Sequence, residues 1–164
     1  MIIGIDPGTK GGLALISLNA NTVIETIPLE GLKKKEVVHA LKGWIELTDV
    51  DAIWIEKVSY IRGDGAMGSF TFGNVFGLLE GSVLTLASEK VHYVYPMMWQ
   101  SFLGCLTAGN KNVSKNRAIA LFPKYHAERK RGITHGIADA LLIAEYGRRR
   151  FLAPCGANSG PLSG

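Results

Sequence analysis

The sequence predicts an α/β domain: a five-stranded mixed sheet, made of a three-strand antiparallel meander plus two parallel strands, flanked by helices. Three observations point there. Residues 1–27 hold three short apolar or β-branched runs separated by turn residues. From Lys33 onward, helical spacing alternates with two further apolar runs. Two of the five runs end in an acid, Asp6 and Glu56. A meander followed by β–α–β crossovers yields a mixed sheet with helices packed on it.

Each element has its own reason. Met1–Asp6 (MIIGID) is a β-branched apolar run halted by Asp6-Pro7-Gly8, hence a buried strand ending in a turn. Gly11–Ile16 follows a tight glycine turn and reads as the second strand; Thr22–Ile27, after Asn19–Asn21, reads as the third. Over Lys33–Leu47 apolar residues recur at Val37, Val38, Leu41, Trp44 and Ile45, the spacing of a helix. Ala52–Glu56 is again a buried strand. A glycine-rich loop, Ser59–Gly68, leads to a long helix, Phe70–Ser88, and Val91–Tyr95 is the fifth strand, closed by Pro96. Pro96–Leu103 and Val113–Phe122 read as shorter helices, the second stopped by Pro123. A last helix runs from Ile133 to Arg149, with apolar Ile137, Leu141, Leu142 and Tyr146.

The 164 residues suit one domain, 1–152, with the Gly-, Pro- and Ser-rich stretch 153–164 expected to be a flexible tail. With 47% hydrophobic and 20% charged residues the composition is globular, which sets aside fibrous and disordered classes. No apolar run reads as approaching the roughly 20 residues of a membrane span. MIIGID lacks the basic leader of a signal peptide, and Cys105 and Cys155 are too few and too far apart for a disulfide framework. A reducing, cytoplasmic setting with no membrane partner is therefore expected. The net charge of +4 favours an anionic partner, nucleic acid being the commonest. The cations cluster: Lys33-Lys34-Lys35, Lys111 with Lys115 and Arg117, Arg129-Lys130-Arg131, and Arg148-Arg149-Arg150. Any one cluster reads as a solvated helix end; the set reads equally as a phosphate footprint.

The acids are the most specific signal. The first and fourth strands can pair in parallel, bringing Asp6 and Glu56 to one rim, and functional groups gather outside the carboxyl ends of parallel strands. Asp139 sits inside an apolar helix, with His135 four residues earlier on the same face. Taken alone, Asp6 before Pro7-Gly8 is a turn-former, Glu56 a surface acid and His135 a structural histidine. Asp139 is harder to set aside, because a carboxylate among aliphatics is costly to bury unpaired. Together, two strand-end acids and a helical His-x-x-x-Asp fit phosphodiester hydrolysis. Two divalent ions roughly 3.5–4 Å apart can activate water and stabilise the leaving oxygen, and hard ions need only a few carboxylates.

With these residues in view, the chain resembles the RuvC-type Holliday junction resolvases, on the RNase H-like fold, the bacteriophage-type branch in particular. Gly4–Leu15 (GIDPGTKGGLAL), Ala52–Val58 (AIWIEKV) and His135–Arg149 (HGIADALLIAEYGRR) are similar to the family's acidic motifs. Gly63–Val83, Pro96–Trp99 and Lys111–Ala118 are similar to its glycine-rich helix, Pro-x-x-Trp segment and Lys-x-x-Ser-x-x-x-Ala helix. The resemblance covers residues 1 to about 150 and implies symmetric nicking of four-way DNA junctions in a bacterial or phage-infected cell. It implies a catalytic set of Asp6, Glu56, His135, Asp139 and Lys111. Asp6 would bridge two Mg²⁺ or Mn²⁺ ions, Glu56 would hold one, His135 with Asp139 would complete the site, and Lys111 would approach the scissile phosphate. DNA contact falls on Tyr60, Arg62, Lys111, Lys115 and Arg117, with Tyr60 nearest to the aromatic that some members wedge into the junction.

The chain departs from the pattern at three points, one being that the aromatic some members wedge at the junction centre has no residue-for-residue match. Gly136 stands where many members carry a carboxylate, so His135 must serve instead, and imidazole suits Mn²⁺ better than Mg²⁺. Gln100 follows the segment's Trp where Lys is frequent. Gly73, Gly77 and Gly81 make a smooth helix stripe that suits packing on the sheet or a two-fold homodimer contact. Rival readings are an RNase H-fold nuclease acting on RNA–DNA hybrid or single strands, and a non-catalytic branched-DNA binding module. The full acidic set argues against the binding module, since acids repel phosphate. An actin-like fold needs two duplicated halves, for which the chain is too short.

Overall fold

A computed structural model describes residues 1–57, 65–129 and 132–153. Tyr60 and Arg62, and residues 154–164 of the expected tail, lie outside the described residues. The strands are β1 (Ile2–Asp6), β2 (Gly12–Ile16), β3 (Val23–Pro28), β4 (Ala52–Glu56) and β5 (Val91–Val94). The helices are α1 (Lys34–Leu47), α2 (Ala66–Ala87), α3 (Pro96–Phe102), α4 (Asn112–Leu121), α5 (Pro123–Ala127) and α6 (His135–Leu152). The sheet order is β3-β2-β1-β4-β5, antiparallel at β3-β2-β1 and parallel at β1-β4-β5. The expected five-stranded mixed sheet is the one found.

Strand periodicity sorts the core into two layers. Ile3, Ile5, Ile53 and Ile55 face one way, packing against Val37, Leu41 and Trp44 of α1 and Leu79 and Val83 of α2. Ile2 and Ala52 face the other way, toward α6, with Trp99 and Phe122 in the same layer. Helix α6 lies unusually close to the sheet. A Cβ on Gly4 of β1 would fall 2.2 Å from the Ala140 carbonyl, and one on Gly147 of α6 2.2 Å from the Trp54 ring. Small residues on both sides of this contact let the helix seat directly over β1.

Four expectations need correction. Helix α2 starts at Ala66, within the stretch expected to be loop, because a helix's first N–H groups have no internal partner and its first turn tolerates Gly68 and Ser69. Pro123 opens α5 instead of only ending α4, since proline at the first helical position forfeits no hydrogen bond. A 3₁₀ turn, Ser88–Lys90, separates α2 from β5. The fourth concerns apolar length: the segment Ala66–Lys90 is long and apolar enough to cross a membrane by length and composition, and only 17% of its most apolar window is buried. On that segment Met67, Phe70 and Leu84 are exposed.

Candidate active site

The site begins with register. Gly4 pairs with Trp54 and Ile5 with Ile55 in the parallel β1–β4 ladder, so the next residues, Asp6 and Glu56, stand side by side at the carboxyl ends of the two strands. Period two then puts Asp6 on the face of Ile2 and Gly4, and Glu56 on the face of Ala52 and Trp54. That face is covered by α6, which carries Asp139 in its second turn. Thr134 caps the helix, its hydroxyl accepting from the Ile137 N–H at 3.2 Å. The turn after β1 fixes how close α6 comes. Asp6 Oδ1 accepts from the Gly8 N–H at 3.0 Å, and the Gly11 N–H donates to the Gly8 carbonyl at 2.8 Å. Gly136 packs on this turn so tightly that a Cβ there would lie 2.1 Å from the Lys10 carbonyl.

Asp6, Glu56 and Asp139 open into one cleft of about 980 Å³, with Lys111, Trp99 and Gln100 also in its wall. Each acid is held differently. Glu56 is buried, and Trp99 Nε1 donates to its Oε1 at 2.7 Å. Asp139 faces the Ser114 hydroxyl, while its Oδ1 is buried with no hydrogen-bond partner among the described residues. Burial pushes the Asp6 carboxyl up to about 7; the Gly8 N–H opposes this, the Asp139 charge adds to it and Lys111 counters it. Burial, with the Asp6 and Asp139 charges adding and Trp99 opposing, pushes Glu56 up to about 8. Asp139 is also raised by burial, against the pull of Ser114, His135 and Lys111. Three carboxyls held toward the neutral form, all by desolvation and Asp6 and Glu56 by like charge as well, make a site that a cation would relieve.

The structure brings some of the expected residues together and leaves others apart. Lys111, exposed at the start of α4, lines the cleft mouth. His135 sits beside Asp139 closely enough to act on its charge, yet it does not line the cleft, and its Nδ1 is buried without a partner among the described residues. Lys115 and Arg117 lie on α4 outside the cleft wall; Arg117 acts instead on the buried Cys105 thiol. Among the described residues no three His, Cys, Asp or Glu side chains already converge as closely as a bound ion requires. The donor set nonetheless fits hard divalent ions, with oxygen ligands and an orphaned Asp139 oxygen available. Lys10, Trp99 and Ser114 join the site unpredicted by sequence. Each lies in a stretch marked by the resemblance, Gly4–Leu15, Pro96–Trp99 or Lys111–Ala118, but the contacts of Trp99 with Glu56 and of Ser114 with Asp139 are made only by folding.

No protein-family model matches the chain. The chloroplastic Holliday junction resolvase MOC1 of Chlamydomonas reinhardtii is 34% identical over 97 residues, 57% of this chain and 10% of that protein. The chain thus spans about a tenth of the length of the curated relative it matches. The Thermus thermophilus RuvC structure superposes with a TM-score of 0.61 at 20% identity, over 92% of this chain and 95% of that one. T. thermophilus RuvC in complex with Holliday junction substrate gives 0.60 at 19% identity, over 92% and 94%. The fold is that of RuvC, an RNase H-like sheet with the same strand order and direction.

Proposed function

We propose that this chain is a structure-selective endonuclease that resolves four-way DNA junctions by divalent-metal-dependent phosphodiester hydrolysis. The observation that carries this reading is the meeting of Asp6, Glu56 and Asp139 in one cleft beside Lys111. The similarity to a protein named as a junction resolvase supports it, as does the fold shared with a protein solved on a junction.

Asp6, Glu56 and Asp139, with His135 at their edge, would hold two Mg²⁺ or Mn²⁺ ions once side-chain rotation draws them inward. Bound there, the ions would supply an activated water and neutralise charge on the leaving oxygen. The protein's own part is then definable. Protons held at Asp6 and Glu56 must leave before those carboxylates can ligate. Lys111 presents a point charge at the cleft mouth, where a phosphate would arrive. The Gly8–Gly11 turn and Gly136 keep the Asp6 and Asp139 backbones close.

A four-way junction has approximate two-fold symmetry, and a homodimer would offer it two such clefts. Helix α2 supports this assembly. Among the described residues a Cβ at Gly73, Gly77 or Gly81 would meet nothing within 4 Å, so the smooth stripe packs against none of them. Interior helix glycines cost roughly 1 kcal/mol each relative to alanine, and Phe70 and Leu84 stay exposed on the same helix. The bacteriophage-type branch and a cytoplasmic setting rest on the sequence alone.

A substrate panel tests the proposal: labelled four-way junction, linear duplex and RNA–DNA hybrid, each with Mg²⁺ or Mn²⁺. Paired symmetric nicks confined to the junction are expected. Cutting of the hybrid alone would move the function to an RNase H-like nuclease, and tight junction binding without cutting would leave only a binding module.

A further inference from the structure

The Glu56 carboxylate has a neighbour whose role the proposed chemistry leaves open. In the parallel β4–β5 ladder Glu56 pairs with Val94, and the Lys57 N–H donates to the Val94 carbonyl at 2.8 Å. The two strand ends are therefore locked together. The chain then turns at Tyr95 and Pro96 straight into α3, so the first turn of that helix sets Trp99 over Glu56. Trp99 is 1% exposed and Glu56 8%. Their bond, Nε1–H to Oε1 at 2.7 Å, joins residues 43 apart in sequence.

An indole N–H donates and never accepts, so it can hold only an oxygen that accepts. By taking Oε1 it leaves Oε2 as the oxygen with no protein donor among the described residues, in a side chain that lines the cleft. Trp54, two residues before Glu56 on β4, shows the contrast: its buried Nε1 has no partner among the described residues, so burial of an indole in this fold does not by itself bring a hydrogen bond.

We propose that Trp99 is a positioning residue, whose indole N–H fixes the Glu56 carboxylate so that its second oxygen is presented to a divalent cation in the cleft. This rests on the reading of the cleft as a metal-dependent site. Trp99 also packs in the core beside Leu103 and Phe122, so the test must separate the N–H from the bulk. Trp99→Phe keeps most of the ring and removes the donor.

The measurement is a Mn²⁺ titration of the metal-free full chain by calorimetry, for wild type, Trp99→Phe, Glu56→Gln and the double variant. Loss of a hydrogen bond that orients a ligand weakens metal binding by about 10- to 100-fold. Trp99→Phe is expected to fall in that range and to add no further loss on Glu56→Gln. Equal Mn²⁺ affinity of Trp99→Phe and wild type would overturn the proposal while leaving the metal site intact, as would an equal loss in both backgrounds. A wild type that binds no Mn²⁺ would overturn the site's reading and this inference together. A second readout needs no Trp99 variant. The Trp99 indole N–H resonance of the wild-type chain should shift on adding Mg²⁺ and stay fixed in Glu56→Gln; a resonance indifferent to Mg²⁺ in the wild type overturns the positioning role.

Discussion

At position 136 the chain carries no side chain because the Lys10–Gly11 backbone already fills the space, the nearest atom being 2.1 Å from a would-be Cβ. The sequence shows only that a carboxylate is missing there; the packing shows why. Gly136→Glu should therefore not restore a ligand. It should destabilise by roughly 1–3 kcal/mol or more, as overpacking against backbone does, which urea denaturation would measure, with cleavage activity no better than wild type. The acids themselves give a pH dependence. Asp6 and Glu56 are held up at about 7 and about 8 from ordinary values of 3.8 and 4.5, by burial first and like charge second. A raised folded-state value means that the fold favours the protonated form. That contribution is complete below about pH 4 and is lost as pH climbs through 7 to 8. In metal-free protein Asp6→Asn should thus be more stable than wild type above pH 8, by on the order of 4 kcal/mol. The gap should close toward pH 4. Adding Mg²⁺ at pH 8 should raise the wild-type melting temperature more than that of Asp6→Asn.

Element by element, the strands were legible because each apolar run ends at a turn residue or an acid, and every strand boundary falls within one residue of its expected place. The parallel pairing of β1 with β4 followed from chain order, and with it the meeting of Asp6 and Glu56. What escaped the sequence depends on tertiary contact. Pro123 reads as a stop until α5 is seen to start on it. His135 shares a helix face with Asp139, yet only Gly136 and Asp139 of α6 stand in the cleft wall. The Trp99–Glu56 bond joins two elements that no local pattern relates. Helix α2 carries the prediction at this scale. Gly77 has open space around it among the described residues, so Gly77→Glu should leave the monomer fold and its circular dichroism unchanged. Sedimentation should find a wild-type dimer and a Gly77→Glu monomer, since a charge on the apolar stripe opposes burial against a second copy. A Gly77→Glu chain that stays dimeric would place the contact elsewhere.

For the whole molecule, a net charge of +4 on a chain whose cleft is acidic asks cations at the rim to carry the attraction for phosphate. Junction affinity should fall steeply with salt, and Lys111→Ala should reduce the slope of log K against log salt by about 1. On the proposed function, binding and cutting should separate at the acids. The most direct test of the account is cleavage of a labelled four-way junction in Mg²⁺ by wild type and by Asp6→Asn, with junction affinity measured on both. The account predicts paired symmetric nicks by wild type, none by Asp6→Asn, and junction binding by Asp6→Asn at least as tight as wild type. Nicking by Asp6→Asn at the wild-type rate would contradict it, because the carboxylate at the end of β1 would then have no part in the chemistry.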